Sequence, residues 1–304
     1  MTSKDDNRYS SSCRLAHISL DRDRLASDLK GVESMERSAS YGYFQYGERW
    51  SSIMLANHSG DARDGISKIY DGSALATEQM KLVPYLWEVT RDVFECRYLK
   101  SMRIFDALNG GILPHRDYWD LEVKPGASHQ PKRFNRIHLA IQTNSNCLNS
   151  EEDRVYHINL GDIVYLDGSR THACIAYGNQ SRLHVIWDFD PTIQMEKLFK
   201  AKGLCKPEKL AYITRRAMAK SEMELLLSSG MLLSNVSLQV VLQSFAAIHF
   251  VREVSAGACY DWLVKVAQMV DKADLVAEAR EIRHRYLGDT NESFTHIARH
   301  QSHG

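Results

Sequence analysis

The sequence lacks the features that mark several common classes of protein. Its six cysteines, at positions 13, 96, 147, 174, 205 and 259, form no Cys-x-x-Cys pair, so neither a zinc ribbon nor a disulfide scaffold is indicated. Basic and acidic residues balance at 38 each, which argues against a nucleic-acid polyanion as the main partner. Scattered thiols in a chain of 304 residues fit a reducing compartment, and we expect a cytoplasmic protein.

Long apolar segments are also missing. No stretch reaches the ~18 uncharged apolar residues of a membrane span, and the polar residues 1–7 contain no apolar signal-peptide core. We therefore expect no membrane partner. With 44% hydrophobic residues, the chain can bury one large core or two modest ones.

The hydrophobic pattern changes character near residue 190. Residues 136–190 alternate between apolar and polar in short runs separated by turns, which is typical of a β-sandwich or jelly roll. From 195 onward, apolar residues recur at helical spacing. We predict a disordered tail (1–13), a β-rich domain with N-terminal helices (14–194), a helical C-terminal domain (195–290) and a polar tail (291–304).

The N-terminal half has weaker signals. Residues 14–20 alternate as a short strand, Asp21 suits the N-cap of a helix, and Pro84 suits the first turn of another. Asn109-Gly110-Gly111 reads as a turn. Residues 123–135 hold two prolines and a glycine, and this loop is either a lid or a plain surface connection.

One motif dominates the functional interpretation. His115 and Asp117 lie two residues apart after a β-like segment, so on a strand they share one face. His172, in a later β-rich segment, is a candidate third ligand. Two histidines and one carboxylate form the facial triad of non-haem iron oxygenases, and we interpret the protein as an oxygenase. The same ligands would also suit zinc with a bound water.

Three further residues accompany the motif. Arg182 lies ten residues after His172, and a buried arginine there would need an anionic partner such as a carboxylate. Arg136 and His138 share one strand face, and we assign them with Arg182 to a dicarboxylate cosubstrate. His184 alternates in phase with Arg182, and we expect it to pack in the core.

These residues form an ordered set that resembles a known family. The set comprises Pro-His-Arg-Asp-Tyr at 114–118, Arg-Ile-His-Leu at 136–139, Leu-Gly-Asp-Ile-Val-Tyr-Leu-Asp at 160–167, His172, Arg-Leu-His at 182–184 and Asp-Phe at 188–189. It resembles the bacterial L-proline cis-hydroxylases, which belong to the aspartyl/asparaginyl β-hydroxylase-like group of iron(II)/2-oxoglutarate oxygenases. Segments near residues 16–21, 83–86 and 260–263 extend the resemblance over most of the chain.

The resemblance implies a fold and a chemistry. The fold would be a double-stranded β-helix (a cupin-like jelly roll) with flanking helices and a helical C-terminal region. His115, Asp117 and His172 would bind Fe(II), and Arg182, Arg136 and His138 would bind 2-oxoglutarate. With O2, the enzyme would hydroxylate an unactivated C–H bond and release succinate and CO2.

The resemblance leaves the substrate open. Arg103 matches one of the basic residues with which the family could bind an amino-acid carboxylate, but Phe105 does not provide a second basic residue. Tyr118 and Trp119 are further candidates to shape the pocket. Proline, pipecolate and a lysine- or citrulline-like amino acid all remain as small-molecule substrates. The alternatives are a hydroxylase of an Asp, Asn or other side chain in a peptide or protein, and a non-catalytic jelly-roll module that binds a ligand. The sequence does not fix the oligomeric state.

Overall fold

The computed structural model describes residues 11–38, 44–65, 68, 70–117, 134–233 and 237–288. The strands among them are β1 (Cys13–His17), β2 (Gln45–Asn57), β3 (Leu75–Ala76), β4 (Leu99–His115), β5 (Asn135–Gln142), β6 (Cys147–Glu151), β7 (Arg154–His157), β8 (Asp162–Tyr165), β9 (His172–Ala176) and β10 (Arg182–Phe189). The helices are α1 (Arg22–Glu33), α2 (Pro84–Val93), α3 (Lys220–Leu233), α4 (Leu238–Ile248), α5 (Ala258–Val270) and α6 (Ala273–Leu287).

The strands form two facing antiparallel sheets that share the long strand β4. Residues 99–107 of β4 pair with β10, which continues the order β10-β5-β8-β1. Residues 110–115 of β4 pair instead with β9, which continues into β6 and β7. Side chains from both sheets line one pocket, so the sheets enclose it. This is a double-stranded β-helix, and the predicted fold is confirmed.

The predicted turn at Asn109-Gly110-Gly111 is wrong, because β4 runs through it without reversing. Asn109 has a φ of +46°, and the strand changes partner from β10 to β9 on either side of it. A Cβ on Gly110 would lie 2.1 Å from the Tyr46 carbonyl oxygen on β2. The glycine therefore permits a close approach of two backbones, which the local sequence pattern does not distinguish from a turn.

Other local predictions have mixed outcomes. Asp21 caps α1 by accepting from the Asp23 and Arg24 amides, and α2 begins at Pro84 as expected. The sequence patterns missed β2 and β6. A 3-10 helix covers Met195–Leu198, but residues 199–219 contain no helix, and the first C-terminal α-helix, α3, begins at Lys220. The tail assigned to 1–13 is described only from Ser11, and Cys13 already begins β1. The 123–135 loop lies largely outside the described residues.

Helices cover both outer faces of the barrel. On β10, Leu183, Val185, Trp187 and Phe189 point outward into a core shared with α1 and α2, whereas Arg182 and His184 point inward. The C-terminal helices share a second core with residues of β4, β7 and β9. The outward alternation on β10 thus explains why the inward polar residues lie in the interior. None of the described helices is long and apolar enough to cross a membrane.

Candidate active site

The structure brings the three candidate metal ligands together at the end of β4. His115 and His172 are direct cross-strand partners of β4 and β9. The Asp117 amide donates to the Gly168 carbonyl at 2.8 Å, which brings the carboxylate beside both rings. One donor atom from each of the three side chains lies within 4.8 Å of the others. Three side chains that are separated in the sequence therefore meet at one point in space.

Both imidazoles have the tautomer that a metal ligand needs. His115 Nδ1 donates to the Leu113 carbonyl at 2.8 Å, and His172 Nδ1 donates to the Arg170 carbonyl at 3.0 Å. A carbonyl oxygen only accepts, so each Nε2 carries the lone pair. The two Nε2 atoms lie 3.4 and 3.7 Å from Asp117 Oδ1. Burial, together with the nearby His115, lowers the pKa of His172 to about 4, which keeps this ring neutral near pH 7.

Arg136 fixes the orientation of the Asp117 carboxylate. Its Nη1 donates to Asp117 Oδ2 at 2.5 Å, so the other oxygen, Oδ1, faces the two histidines. Burial alone would raise the pKa of the Asp117 carboxyl, but the Arg136 guanidinium and the two imidazoles hold this pKa well below its usual range. The carboxylate is therefore ionised and presents one oxygen to a cation.

Asp188 anchors two arginines behind the pocket. It lies opposite Arg136 across β5 and β10, and its Oδ1 accepts from Arg136 Nε at 2.7 Å. Its Oδ2 accepts from Arg103 Nη2 at 2.5 Å and from Ser101 Oγ at 3.0 Å. Burial opposes ionisation, but Arg136 and Arg103 hold the pKa of Asp188 well below its usual range. Both arginines thus have a carboxylate partner.

Arg182 differs from these two arginines because its partners are neutral. Its Nη2 donates to Asn149 Oδ1 at 2.7 Å and to His184 Nδ1 at 3.0 Å. Its Nε and Nη1 have no hydrogen-bond partner among the described residues, although the side chain is only 1% exposed. A buried guanidinium with unpaired donors is a site for an anionic ligand.

His138 adds two more unpaired atoms to the same pocket. Neither of its ring nitrogens has a hydrogen-bond partner among the described residues, and its ring lines the pocket with Arg182. Burial, with the nearby Arg182 and Arg136, keeps the pKa of His138 well below its usual range. A neutral imidazole there can donate one hydrogen bond to a ligand oxygen.

Aromatic side chains line the rest of the pocket. Trp50 and Phe105 pack with ring centroids 5.2 Å apart, and Arg103 lies 5.3 Å from the Phe105 ring. Phe44 stacks on His115 at 4.3 Å. About 730 Å3 is empty when the open mouth of the pocket is included.

The C-terminal helices support the metal-binding end of β4. Tyr260 on α5 donates from its hydroxyl to the Pro114 carbonyl at 2.6 Å. The Arg116 amide donates to the Tyr286 carbonyl on α6 at 3.2 Å. The segment from Pro114 to Asp117 is therefore held by helices that lie far away in the sequence.

The structure places seven of the predicted site residues in one pocket, and their roles stay predictions. The described pocket contains His115, Asp117, His172, Arg136, His138, Arg182 and Arg103; Tyr118 and Trp119 lie outside the described residues. Sequence reasoning assigned no role to Asp188 or Asn149 and placed His184 in the core without a function. Asp188 was within reach, because it alternates in phase with Arg182 on β10. Asn149 could not be predicted from the sequence, because the hydrophobic pattern did not reveal β6.

Comparisons with known proteins identify a family for this chain. A family model for aspartyl/asparaginyl β-hydroxylases matches residues 17–191, and one for the C-terminal part of L-proline 3-hydroxylases matches residues 196–293. An L-proline cis-4-hydroxylase of Rhizobium meliloti (strain 1021) is 28% identical over 277 residues, which cover 90% of this chain and 95% of that protein. An L-proline cis-3-hydroxylase of Streptomyces sp. is 27% identical over 274 residues, or 88% and 92% of the two chains.

Solved structures give more distant matches. An oxidoreductase of the 2OG-Fe(II) oxygenase family from Burkholderia pseudomallei overlaps 57% of this chain and 80% of its own, with 10% identity and a TM-score of 0.36. A Pseudomonas putida prolyl-4-hydroxylase overlaps 59% and 92%, with 13% identity and a TM-score of 0.34. The first family model spans more than half of the chain and includes every described candidate residue of the site. The chain therefore belongs to the aspartyl/asparaginyl β-hydroxylase family, and it is an oxidoreductase of the iron(II)- and 2-oxoglutarate-dependent hydroxylase class.

Proposed function

We propose that this protein hydroxylates an unactivated C–H bond of a free L-amino acid with an apolar side chain, of which proline and pipecolate are the leading candidates. One observation carries the proposal. Two imidazole Nε2 atoms and one carboxylate oxygen converge in a pocket that also contains Arg182, whose partners among the described residues are all neutral. A metal face and a free cationic group are what a metal-bound dicarboxylate cosubstrate needs.

The donor set fits ferrous iron. His115 and His172 each offer Nε2, and Asp117 offers Oδ1 because Arg136 occupies its Oδ2. Two neutral nitrogens and one carboxylate oxygen form the facial triad, which leaves positions open for other ligands. The carbonyl groups of Leu113 and Arg170 and the Arg136 guanidinium would hold these three donors in place when the metal binds.

The cosubstrate fits at Arg182. The distal carboxylate of 2-oxoglutarate would accept from Arg182 Nη1, which has no partner in the described part of the chain, and His138 would donate to another oxygen of the same molecule. With iron and cosubstrate bound, the family's reaction places one oxygen atom of O2 in succinate, with loss of CO2, and the other in the substrate. The protein's own contribution is to orient the reactants and exclude bulk water.

The described pocket favours an apolar amino acid over a basic one. Asp117 is the only carboxylate among the described pocket-lining residues, and it already bonds Arg136. No described carboxylate is thus available for a cationic side chain such as that of lysine. Trp50 and Phe105 offer an apolar wall, and Arg103 beside Phe105 would attract the substrate carboxylate.

The relatives' names support the same choice. Both are L-proline hydroxylases that align with about nine-tenths of this chain. A peptide hydroxylase remains the rival, and no described contact favours it. A binding module without catalysis is disfavoured, because it has no need for an open metal face next to an arginine whose Nε and Nη1 have no hydrogen-bond partner among the described residues.

The test is a substrate screen with mass readout. The protein is loaded anaerobically with Fe(II) and 2-oxoglutarate, and O2 is admitted with single free amino acids. We expect a gain of one oxygen atom on proline or pipecolate, with stoichiometric succinate. The comparison arms are free lysine, free citrulline and a peptide with an internal proline. Preferential oxidation of lysine or of the peptide would overturn the proposed substrate class.

Asp117→Ala is the control for the metal site in this screen. We expect it to abolish succinate formation with every substrate, because the remaining histidines supply only two of three ligands. Succinate formation at the wild-type rate would rule out the ligand assignment whatever the substrate.

A further inference from the structure

His184 occupies a position that the reaction of the family does not explain. It is fully buried on β10, at 0% exposure, and it is absent from the described lining of the pocket. Its Nδ1 nevertheless lies 3.0 Å from Arg182 Nη2. A guanidinium nitrogen only donates, so His184 Nδ1 is an acceptor and its proton lies on Nε2.

The two acceptors of Arg182 use one and the same nitrogen. Asn149 Oδ1 on β6 and His184 Nδ1 on β10 both accept from Nη2, which has two protons to give. Both protons of Nη2 are therefore used, one by an acceptor on each sheet, and these two hydrogen bonds fix the plane of the guanidinium. Nη1 and Nε remain without partners in the described part of the chain.

The chemical nature of these acceptors distinguishes Arg182 from the other two arginines. Arg103 and Arg136 donate to the carboxylates of Asp188 and Asp117, and these ion pairs offset their charge. Arg182 donates to a carboxamide and an imidazole, which carry no charge to offset its own. Burial, followed by the Arg182 charge, also keeps the pKa of His184 well below its usual range, so the ring stays neutral.

We propose that His184 is a positioning residue for 2-oxoglutarate: as an uncharged acceptor behind Arg182, it orients the guanidinium without neutralising it. The full positive charge then remains for the distal carboxylate of the cosubstrate. An acidic residue at this position would hold the guanidinium equally well but would compete with the ligand for its charge. The inference rests on the proposed function, because it takes 2-oxoglutarate as the occupant of the Arg182 site.

Three substitutions with four side-chain heavy atoms each separate the geometric role from the charge. His184→Asn keeps a neutral acceptor near the Nδ1 position, His184→Leu removes the acceptor, and His184→Asp supplies a charged one. All three keep Cγ with two attached heavy atoms and delete the outer ring atoms, so the remaining atoms occupy similar positions. Differences among them therefore report hydrogen bonding and charge rather than packing.

The readout is direct binding of 2-oxoglutarate, measured by calorimetry on Mn(II)-loaded protein without O2. We expect His184→Asn to stay within about 3-fold of the wild-type Kd, and His184→Leu to bind at least about 10-fold more weakly, as for loss of a hydrogen bond to a charged group. His184→Asp should bind at least about 10-fold more weakly than His184→Asn. Equal affinities for the Asn and Leu variants, or wild-type affinity for the Asp variant, would overturn the inference.

Pyruvate serves as the matched probe, because it has the keto acid of 2-oxoglutarate but no distal carboxylate. We expect its affinity for Mn(II)-loaded protein to be the same in the Asn and Leu variants. A loss of pyruvate affinity equal to that of 2-oxoglutarate would show a general collapse of the site and would overturn the positioning role. Failure of the wild-type protein to bind 2-oxoglutarate would instead refute the proposed function itself.

Discussion

Replacing Asp188 with Asn tests the charge network that organises the pocket. Asp188 is fully buried and is the shared acceptor of Arg103, Arg136 and Ser101. Asparagine has nearly the same volume but no charge, so two buried guanidinium groups lose their common counter-ion. Breaking a buried ion pair from one side costs about 3–5 kcal/mol. At roughly 2 °C per kcal/mol for a chain of this size, the melting temperature should fall by about 6–10 °C.

The assay is thermal unfolding of the metal-free protein followed by circular dichroism. Ser101→Ala is the matched control, because it removes one hydrogen bond of 3.0 Å to the same carboxylate without changing any charge. We expect the control to lose about 1 kcal/mol, or about 2 °C. An Asp188→Asn protein that melts no lower than the Ser101→Ala control would refute the role of Asp188 as counter-ion.

Three further predictions concern the fold around the site. Tyr260→Phe removes the hydroxyl that donates to the Pro114 carbonyl and should lower the free energy of unfolding by about 1–3 kcal/mol in urea. Gly110→Ala should yield little soluble protein, because the new Cβ would lie 2.1 Å from the Tyr46 carbonyl oxygen. Burial lowers the pKa of His249 from 6.5 to about 4. The free energy of unfolding should therefore fall by up to about 3 kcal/mol as the pH is lowered from about 6.5 to about 4. Urea titrations at several pH values would measure this change.

Each of these predictions has an internal control. Gly257→Ala, at a glycine with a φ of −74° whose new Cβ would meet only the flexible Leu287 side chain, at 3.3 Å, should express normally. Low yield for both glycine variants would contradict the explanation that Gly110 is required for the close approach of two backbones. His249→Gln should flatten the pH dependence of stability between pH 6.5 and 4, and an unchanged slope would contradict the assignment to His249. A wild-type free energy of unfolding for Tyr260→Phe would mean that the hydrogen bond to the Pro114 carbonyl does not stabilise the fold.

The sequence revealed much of the site because strand periodicity translates directly into geometry. Alternation along β10 predicted that Arg182 and His184 share a face, and the same rule applied to Arg136 and His138 on β5. The spacing of His115 and Asp117 predicted a shared strand face, but β4 ends at His115, and the hydrogen bond from the Asp117 amide to the Gly168 carbonyl places the carboxylate instead. His172 was a candidate from its place in a later strand. The ordered set then matched a family, so the double-stranded β-helix and the class of enzyme were accessible before any coordinates.

Some features escaped the sequence because they depend on contacts between distant segments. A pair of glycines next to Asn109 looks like a turn, and only the position of β2 shows that Gly110 permits a close backbone approach. Likewise, β6 has the short polar sequence Cys-Leu-Asn-Ser-Glu, which shows no clear alternation. Its pairing with β9 brings Asn149 beside Arg182.

The sequence by itself thus determined the residue types and the strand faces on which they lie, since both follow from local chemistry and the two-residue period of a strand. Tertiary structure alone decided which cation faces which acceptor. Arg103 and Arg136 donate to carboxylates, whereas the partners of Arg182 among the described residues are an amide and an imidazole. Electrostatic energy depends on distance in space, and that distance is set by how two sheets close around a pocket rather than by separation along the chain.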